Sequence, residues 1–200
     1  MFKVIILIVL SYLLGSIPNA LWIGKIFKNI DVREYGSGNV GATNAARVLG
    51  WKLGIFTLLL DILKGSIFVL IAKKLNLDDI YLVLIGMAAI LGHSYSIYLG
   101  FKGGKAVATS LGVFLILVPK VILFLLIIFF VIVFITQYVS LSSITCAFFL
   151  PILTYMLYNN LIYTIFGIFI GTIVIIRHKS NIINLINKNE AKFFDKANKK

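Results

Sequence analysis

The sequence predicts an all-α polytopic transmembrane helix bundle, with seven spans and five as the alternative. Three observations carry that expectation. First, 60% of the residues are hydrophobic and only 13% are charged, whereas a soluble domain carries about a quarter charged residues. The polar surface is too small to cover a water-exposed globule, so the solvent must be largely lipid. Second, uncharged runs recur at the length a helix needs to cross a bilayer. Third, no segment is long and polar enough for a separate soluble domain. The expected organisation is therefore one transmembrane domain over 1–182 and a basic tail over 183–200.

A spanning helix needs roughly 20 apolar residues. Val4 to Gly24 is uncharged for 21 residues, long enough to span and too long for a typical signal core, so it reads as an uncleaved first helix. Pro18 and Asn19 mark an irregularity within it that faces the bundle. Leu53 to Ala72 is the second span, interrupted by Asp61 and Lys64. Ile80 to Phe101 is the third. Ala106 to Pro119 is uncharged but only 14 residues long. At 1.5 Å per residue it covers about 21 Å of a roughly 30 Å hydrocarbon core, so the loop before it should sink below the headgroups. Val121 to Ile176 then runs 56 residues without a charge. Polar punctuation at Thr136–Gln137 to Ser143 and at Asn159–Asn160 divides it into helices near 121–138, 141–157 and 161–176.

Parity and charge set the orientation. Residues 28–52, 99–105 and the tail from Arg177 are the chemically equipped polar regions, and they share a side only if an even number of spans separates them. Five and seven spans satisfy this; six does not. Of 19 basic residues, 14 fall in these regions or beside them, at Lys25, Lys28, Arg33, Arg47, Lys52, Lys102, Lys105 and seven positions from Arg177 onward. That side is expected to be cytoplasmic, with the N-terminus outside. The excess charge of +12 suits anionic headgroups and anionic substrates. With this hydropathy, nucleic acid is not an expected partner.

The first constellation is Gly36-Ser-Gly-Asn-Val-Gly-Ala-Thr-Asn-Ala-Ala-Arg47. Gly36, Gly38 and Gly41 let the backbone turn and bring amides close to a ligand, as phosphate-binding nests and helix starts do. Ser37 and Thr43 add hydroxyls, Asn39 and Asn44 add amides, and Arg47 adds a planar fork suited to phosphate. The alternative is a flexible loop capping the second span. The second constellation is Gly100-Phe-Lys-Gly-Gly-Lys-Ala-Val-Ala-Thr109, where Lys102 and Lys105 flank Gly103 and Gly104 ahead of a helix. It lacks the spacing of a nucleotide phosphate loop, so it is not read as an ATP site. Snorkelling lysines at an interfacial turn are its alternative. The third is Arg177-His-Lys-Ser-Asn181, in which the cations serve as topology anchors while His178 and Asn181 need another explanation.

Asp61 and Lys64, three apart on one helix face, are expected to pair inside the membrane. His93 is expected to be packed and hydrogen-bonded. Ser140, Ser142 and Ser143 either hydrogen-bond within their helix or line a pocket. The lone Cys146 makes no intrachain disulfide, and no Cys/His cluster has metal-ligand spacing, so neither metal nor cofactor is expected. No histidine is followed five residues later by an aspartate.

At these motifs the chain resembles the bacterial acyl-phosphate-dependent glycerol-3-phosphate acyltransferases. The matching runs are GSGNVGATNAARVLG (36–50), GHSYSIYLGFKGGKAVAT (92–109) and RHKSNI (177–182) with Glu190, and DILKG (61–65) and SLSSI (140–144) agree too. The resemblance implies transfer of a fatty acyl group from acyl phosphate to glycerol 3-phosphate, giving lysophosphatidate and phosphate, by a small multi-pass protein of the bacterial inner membrane with a cytoplasmic active site. It implies essential roles for Ser37 and Arg47 and a glycerol 3-phosphate loop around Lys105. It also implies roles for His178 and Asn181, and a pocket position for Ser143. Ala106 stands where a glycine is usual, and Asn184 and Lys188 where an arginine and a glycine are common. Arg47, Lys105 and His178 are expected to converge on one anion pocket. Either His178 or the substrate's own phosphate is the base. A transporter for a phosphorylated solute is the rival reading, since short helices with glycine-rich breaks also build transporter sites. A structural membrane subunit is a third.

Overall fold

The computed structural model describes residues 1–195, which form ten α-helices and no strand. They fall into two compact units, Met1–Val113 and Phe114–Asp195.

The first unit opens with α1 (Phe2–Gly15) and α2 (Asn19–Lys28), bent by 44° at the break between them. Pro18 lacks the amide that would continue the helical ladder, which accounts for the bend. A loop leads to α3 (Ala42–Leu49), and Gly50, at φ +93°, turns the chain into α4 (Trp51–Lys74). A four-residue turn then reverses into α5 (Asp79–Ser94), so the start of α4 and the end of α5 lie at the same end of the unit. The next helix, α6 (Val107–Leu117), belongs to this unit as far as Val113.

Lipid tails are as apolar as leucine, so helices in a membrane associate through close packing of small residues. Here α1 seats on α5 where a side chain at Gly15 would overlap the Ala89 backbone and one at Gly92 the Tyr12 carbonyl. Likewise α4 and α6 meet where side chains at Gly65 and Gly112 would overlap the Thr109 and Ile62 carbonyls. A small apolar cluster of Ala20, Ile23, Val32, Ala45 and Leu49 gathers α2, α3 and the loop between them.

The second unit contains α7 (Pro119–Thr136), α8 (Val139–Tyr158), α9 (Leu161–Arg177) and α10 (Lys179–Ile186). The first three are consecutive antiparallel neighbours. The left-handed residues Gln137 (φ 63°) and Asn159 (φ 47°) end α7 and α8, and the Asn160 side chain caps α9 by accepting from the Tyr163 amide at 3.1 Å. Phe114 stacks on Phe166 at 4.9 Å. A side chain at Gly171 would sit 2.5 Å from the Ala147 carbonyl, so α8 and α9 also meet backbone to backbone.

Polarity is inverted relative to a soluble fold. Phe130, Phe134 and Ile135 face outward, while Thr57, Asp61, Lys64, Ser142 and Thr154 are buried. Among the described residues, four helices are long and apolar enough to cross a bilayer, giving up to six spans if each of the bent pairs α1–α2 and α9–α10 is one span; α6 is the short addition.

Candidate active site

The first glycine-rich loop is folded upon itself. Asp31 caps a single 3₁₀ turn, Val32–Glu34, by accepting from the Arg33 amide at 3.0 Å, and its carboxylate pairs with the Arg33 guanidinium at 2.7 Å. That guanidinium holds the Asp31 carboxyl below the usual carboxylate range. The contact therefore persists above the ordinary carboxylate value and is lost only as pH falls through the depressed one. Gly36 (φ 54°) and Gly38 (φ 71°) then turn the chain through the left-handed region. Asn44, buried on the first turn of α3, gathers the loop. Its amide donates to the carbonyls of Val32 (2.9 Å), Asn39 (3.0 Å) and Tyr35 (3.3 Å), and its Oδ1 accepts from the Ser37 amide at 3.0 Å. Asn39 Oδ1 accepts from the Gly41 amide at 2.9 Å, which turns the chain into α3.

The loop's own geometry therefore uses several of the amides that its glycines suggest as ligand donors. Ser37, Gly38, Asn39 and Gly41 all donate within the loop. A loop with no regular structure must find partners for its own backbone, and this one does so around Asn44. What the loop leaves for a ligand is side chains: the exposed Ser37, the half-buried Thr43, and the half-buried Arg47, one turn beyond Asn44 on α3, whose Nε is buried. Helix α3 is fixed to α4 where a side chain at Gly54 would overlap Ala46.

The second loop follows the same economy. The amides of Phe101, Lys102, Gly103 and Gly104 donate to the carbonyls of Ser96 (2.8 Å), Leu99 (3.2 Å), Ser94 (3.0 Å) and His93 (3.0 Å). Gly103 and Gly104 permit that approach, because side chains there would overlap the His93 carbonyl and the His93 ring. Lys102 is exposed and Lys105 half-buried. Ala106 adopts φ 62°, the left-handed conformation that glycine enters most easily. Both loops sit at the same end of the first unit, where Trp22 also meets Tyr98 at 6.1 Å.

Behind the second loop lies a buried polar group. Asp61 Oδ1 accepts from Lys64 Nζ at 2.8 Å, the expected pair, and from Asn19 Nδ2 at 2.9 Å. Lys64 also donates to the Ile17 carbonyl at 2.7 Å, at the break between α1 and α2. The sequence reading identified the pair but not Asn19 as its third member. The signal was present: a polar amide beside a proline inside an apolar run.

In the second unit, His178 is 3% exposed at the α9–α10 junction, and its Nδ1 lies 2.8 Å from the Val174 carbonyl. A carbonyl only accepts, so Nδ1 carries a proton, and in the neutral ring Nε2 is the nitrogen that can accept one. Asn181 donates to Glu190 at 2.7 Å. Ser143 is buried on the first turns of α8 and hydrogen-bonds back to the Val139 carbonyl at 2.9 Å.

These features define a class: a helical protein of the membrane interior whose glycine-rich loops carry cations and hydroxyls. Residues 5–188 match the glycerol-3-phosphate acyltransferase family, and the chain belongs to that family. It is 52% identical to the glycerol-3-phosphate acyltransferase of Fusobacterium nucleatum over 93% of this chain and 96% of that one. With the enzyme of the same name from Macrococcus caseolyticus it is 45% identical, over 95% and 97% of the two chains. Its backbone matches the crystal structure of PlsY (YgiH), an integral membrane glycerol 3-phosphate acyltransferase, in the glycerol 3-phosphate form. That match has a TM-score of 0.91 at 41% identity over 95% of each chain. The lysophosphatidic acid form of PlsY matches with a TM-score of 0.88 at 40% identity, again over 95% of each chain. The protein described here is accordingly a multi-pass integral membrane protein.

Proposed function

We infer that this chain transfers a fatty acyl group from acyl phosphate to glycerol 3-phosphate, the first step of phospholipid synthesis. The products are 1-acylglycerol 3-phosphate and inorganic phosphate. The reading is supported by the agreement of the backbone, over 95% of the chain, with PlsY in its glycerol 3-phosphate form.

The chemistry asks little of the protein beyond placement and charge. Acyl phosphate is a mixed anhydride, so its leaving group is already good. A glycerol hydroxyl oxygen attacks the acyl carbon, the bond from that carbon to the phosphate oxygen breaks, and phosphate departs. The hydroxyl proton goes to the departing phosphate or to Nε2 of His178. The enzyme must hold the hydroxyl in line and neutralise phosphate charge. Arg47, Lys105 and Ser37 are assigned to phosphate. Gly36, Gly38, Asn39, Thr43 and Asn44 shape the first loop for it, and Lys102, Gly103 and Gly104 shape the second for glycerol 3-phosphate. Asn181, held by Glu190, orients groups near His178, and Ser143 lines the acyl side. The leaving group is already activated in the donor, so no metal or cofactor is assigned to the reaction, and the acyl chain of the long-chain donor enters from the surrounding membrane lipid beside α6.

The chain crosses the bacterial inner membrane seven times, with the N-terminus outside. Residues 1–182 are the catalytic membrane domain and 183–200 a basic cytoplasmic tail. The clustering of 14 of 19 basic residues around the loops and tail supports a cytoplasmic active face.

Purified protein in detergent should make lysophosphatidate from acyl phosphate and glycerol 3-phosphate without ATP, metal or acyl-CoA. Arg47→Ala should lower turnover by about a hundredfold or more while eluting as the parent does, and Arg47→Lys should recover part of the loss. No lysophosphatidate, or full activity in Arg47→Ala, overturns the assignment.

A further inference from the structure

We propose that His93, held over the buried Asp61–Lys64–Asn19 group, is a positioning residue that sets the depth and shape of the Gly103–Lys105 loop. The proposal rests on reading that loop as the glycerol 3-phosphate loop.

The intramembrane ion pair and the buried histidine have no part in the phosphate chemistry described above. The structure joins them. Asp61 lies ten residues into α4, about 15 Å along the helix axis from its start. His93 Nδ1 lies 3.8 Å from Asp61 Oδ1, within ionic range though beyond hydrogen-bonding distance. The far edge of the same ring touches the second loop: a side chain at Gly104 would overlap Nε2. The His93 carbonyl meanwhile accepts the Gly104 amide at 3.0 Å, and the Ser94 carbonyl accepts the Gly103 amide at 3.0 Å. The loop is therefore tied by backbone to the end of α5 and rests by its surface on an imidazole. Asp61, at the level of that imidazole, is fixed from three elements: Lys64 on its own helix, Asn19 from α2, and the Ile17 carbonyl through Lys64. Polar groups this deep are costly in a lipid-facing fold. An arrangement that reaches from the α1–α2 break to the loop carrying Lys105 fits a mechanical seat for that loop.

The ring and Gly104 compete for one space, so their substitutions must be coupled. Gly104→Ala should raise the KM for glycerol 3-phosphate by about tenfold, and by no more than about threefold in a His93→Ala background, where the ring no longer occupies the space. The KM for acyl phosphate should change little in either. His93→Gln, which keeps a polar head in the bundle, is run in the same cycle as a second background should His93→Ala fold poorly. Hydrogen exchange gives a readout independent of turnover: the Gly103 and Gly104 amides should exchange faster in His93→Ala and in Asp61→Asn, with the amides of α8 unchanged. Multiplicative KM effects in both backgrounds, or unchanged exchange at Gly103 and Gly104, overturn the proposal. Failure of the parent protein to make lysophosphatidate would count against the acyltransferase reading and leave the exchange result to judge the seat by itself.

Discussion

Asn44 contacts four backbone groups of its own loop and is 2% exposed. Asn44→Ala would leave three carbonyls and one amide without that partner, and each buried unpaired group costs about 1–3 kcal/mol. The variant should melt earlier in detergent and lose most of its turnover. Asn44→Asp keeps the acceptor for Ser37 but turns a carboxylate toward the three carbonyls, so it should do no better; activity equal to the parent's in Asn44→Asp refutes the loop-organising role. Two other residues depart from the family's pattern at positions whose backbone explains the pattern. Ala106 (φ 62°) and Lys188 (φ 58°) both stand where the resembling proteins usually carry glycine, and both adopt the left-handed conformation. A side chain there costs about 1 kcal/mol. Ala106→Gly and Lys188→Gly should each raise the thermal midpoint, and a fall at both sites would show that the strain argument fails. The sequence revealed Ser37, Arg47, Lys105, His178 and Asn181 as candidate groups because charge and polarity stand out in an apolar chain. It did not reveal that Asn44 turns inward to the backbone, because residue type does not specify which way an amide points.

Helices were legible where lipid and left-handed residues set their limits. The uncharged run from Val121 to Ile176 was divided in the sequence near 121–138, 141–157 and 161–176, and α7, α8 and α9 occupy 119–136, 139–158 and 161–177. The division worked because Gln137 and Asn159 are the αL residues that end two of these helices. Helices α3 and α10 were not legible as separate elements. Each is eight residues long, too short to establish an apolar period, and each lies among polar residues that read as loop. What fixes the long helices against one another is again a matter of small residues. Gly65→Val and Gly112→Val each put a branched side chain against a backbone carbonyl of the facing helix, which cannot retreat as a flexible side chain can. Both should lose the monodisperse peak in gel filtration together with activity. Leu59→Val on the exposed face of α4 is the control and should behave as the parent. A well-folded, active Gly65→Val and Gly112→Val would mean that the α4–α6 approach is not needed.

For the whole chain, the number of crossings turns on one short helix. The α4–α5 hairpin returns the chain to the end of its unit from which α4 began. In the other unit α7, α8 and α9 make three passes, so the Pro119 end and the Arg177 end face opposite ways. The tail follows that rule, since the Phe193 amide donates to the Gln137 carbonyl at 2.8 Å, beside the turn between α7 and α8. If α6 crosses the bilayer, the chain has seven spans and its basic loops share a face with the basic tail. If α6 dips and returns, there are six and the two basic regions are opposed. Eleven helical residues cover only about 16 Å, so a crossing requires the segment before α6 to enter the bilayer as well, and the backbone-paired, glycine-lined stretch from Phe101 to Gly104 is built for that depth because its amides are already satisfied. Positive charge favours the crossing, since the alternative puts one of the two basic regions outside. In a Cys146→Ser background, Asn76→Cys and Asn160→Cys should react with a membrane-impermeant thiol reagent on intact cells, while Lys28→Cys and Asn187→Cys should react only after permeabilisation. Reaction of Asn187→Cys from outside together with Asn76→Cys would refute seven spans, because the tail and the Lys28 loop would then lie on opposite faces of the membrane.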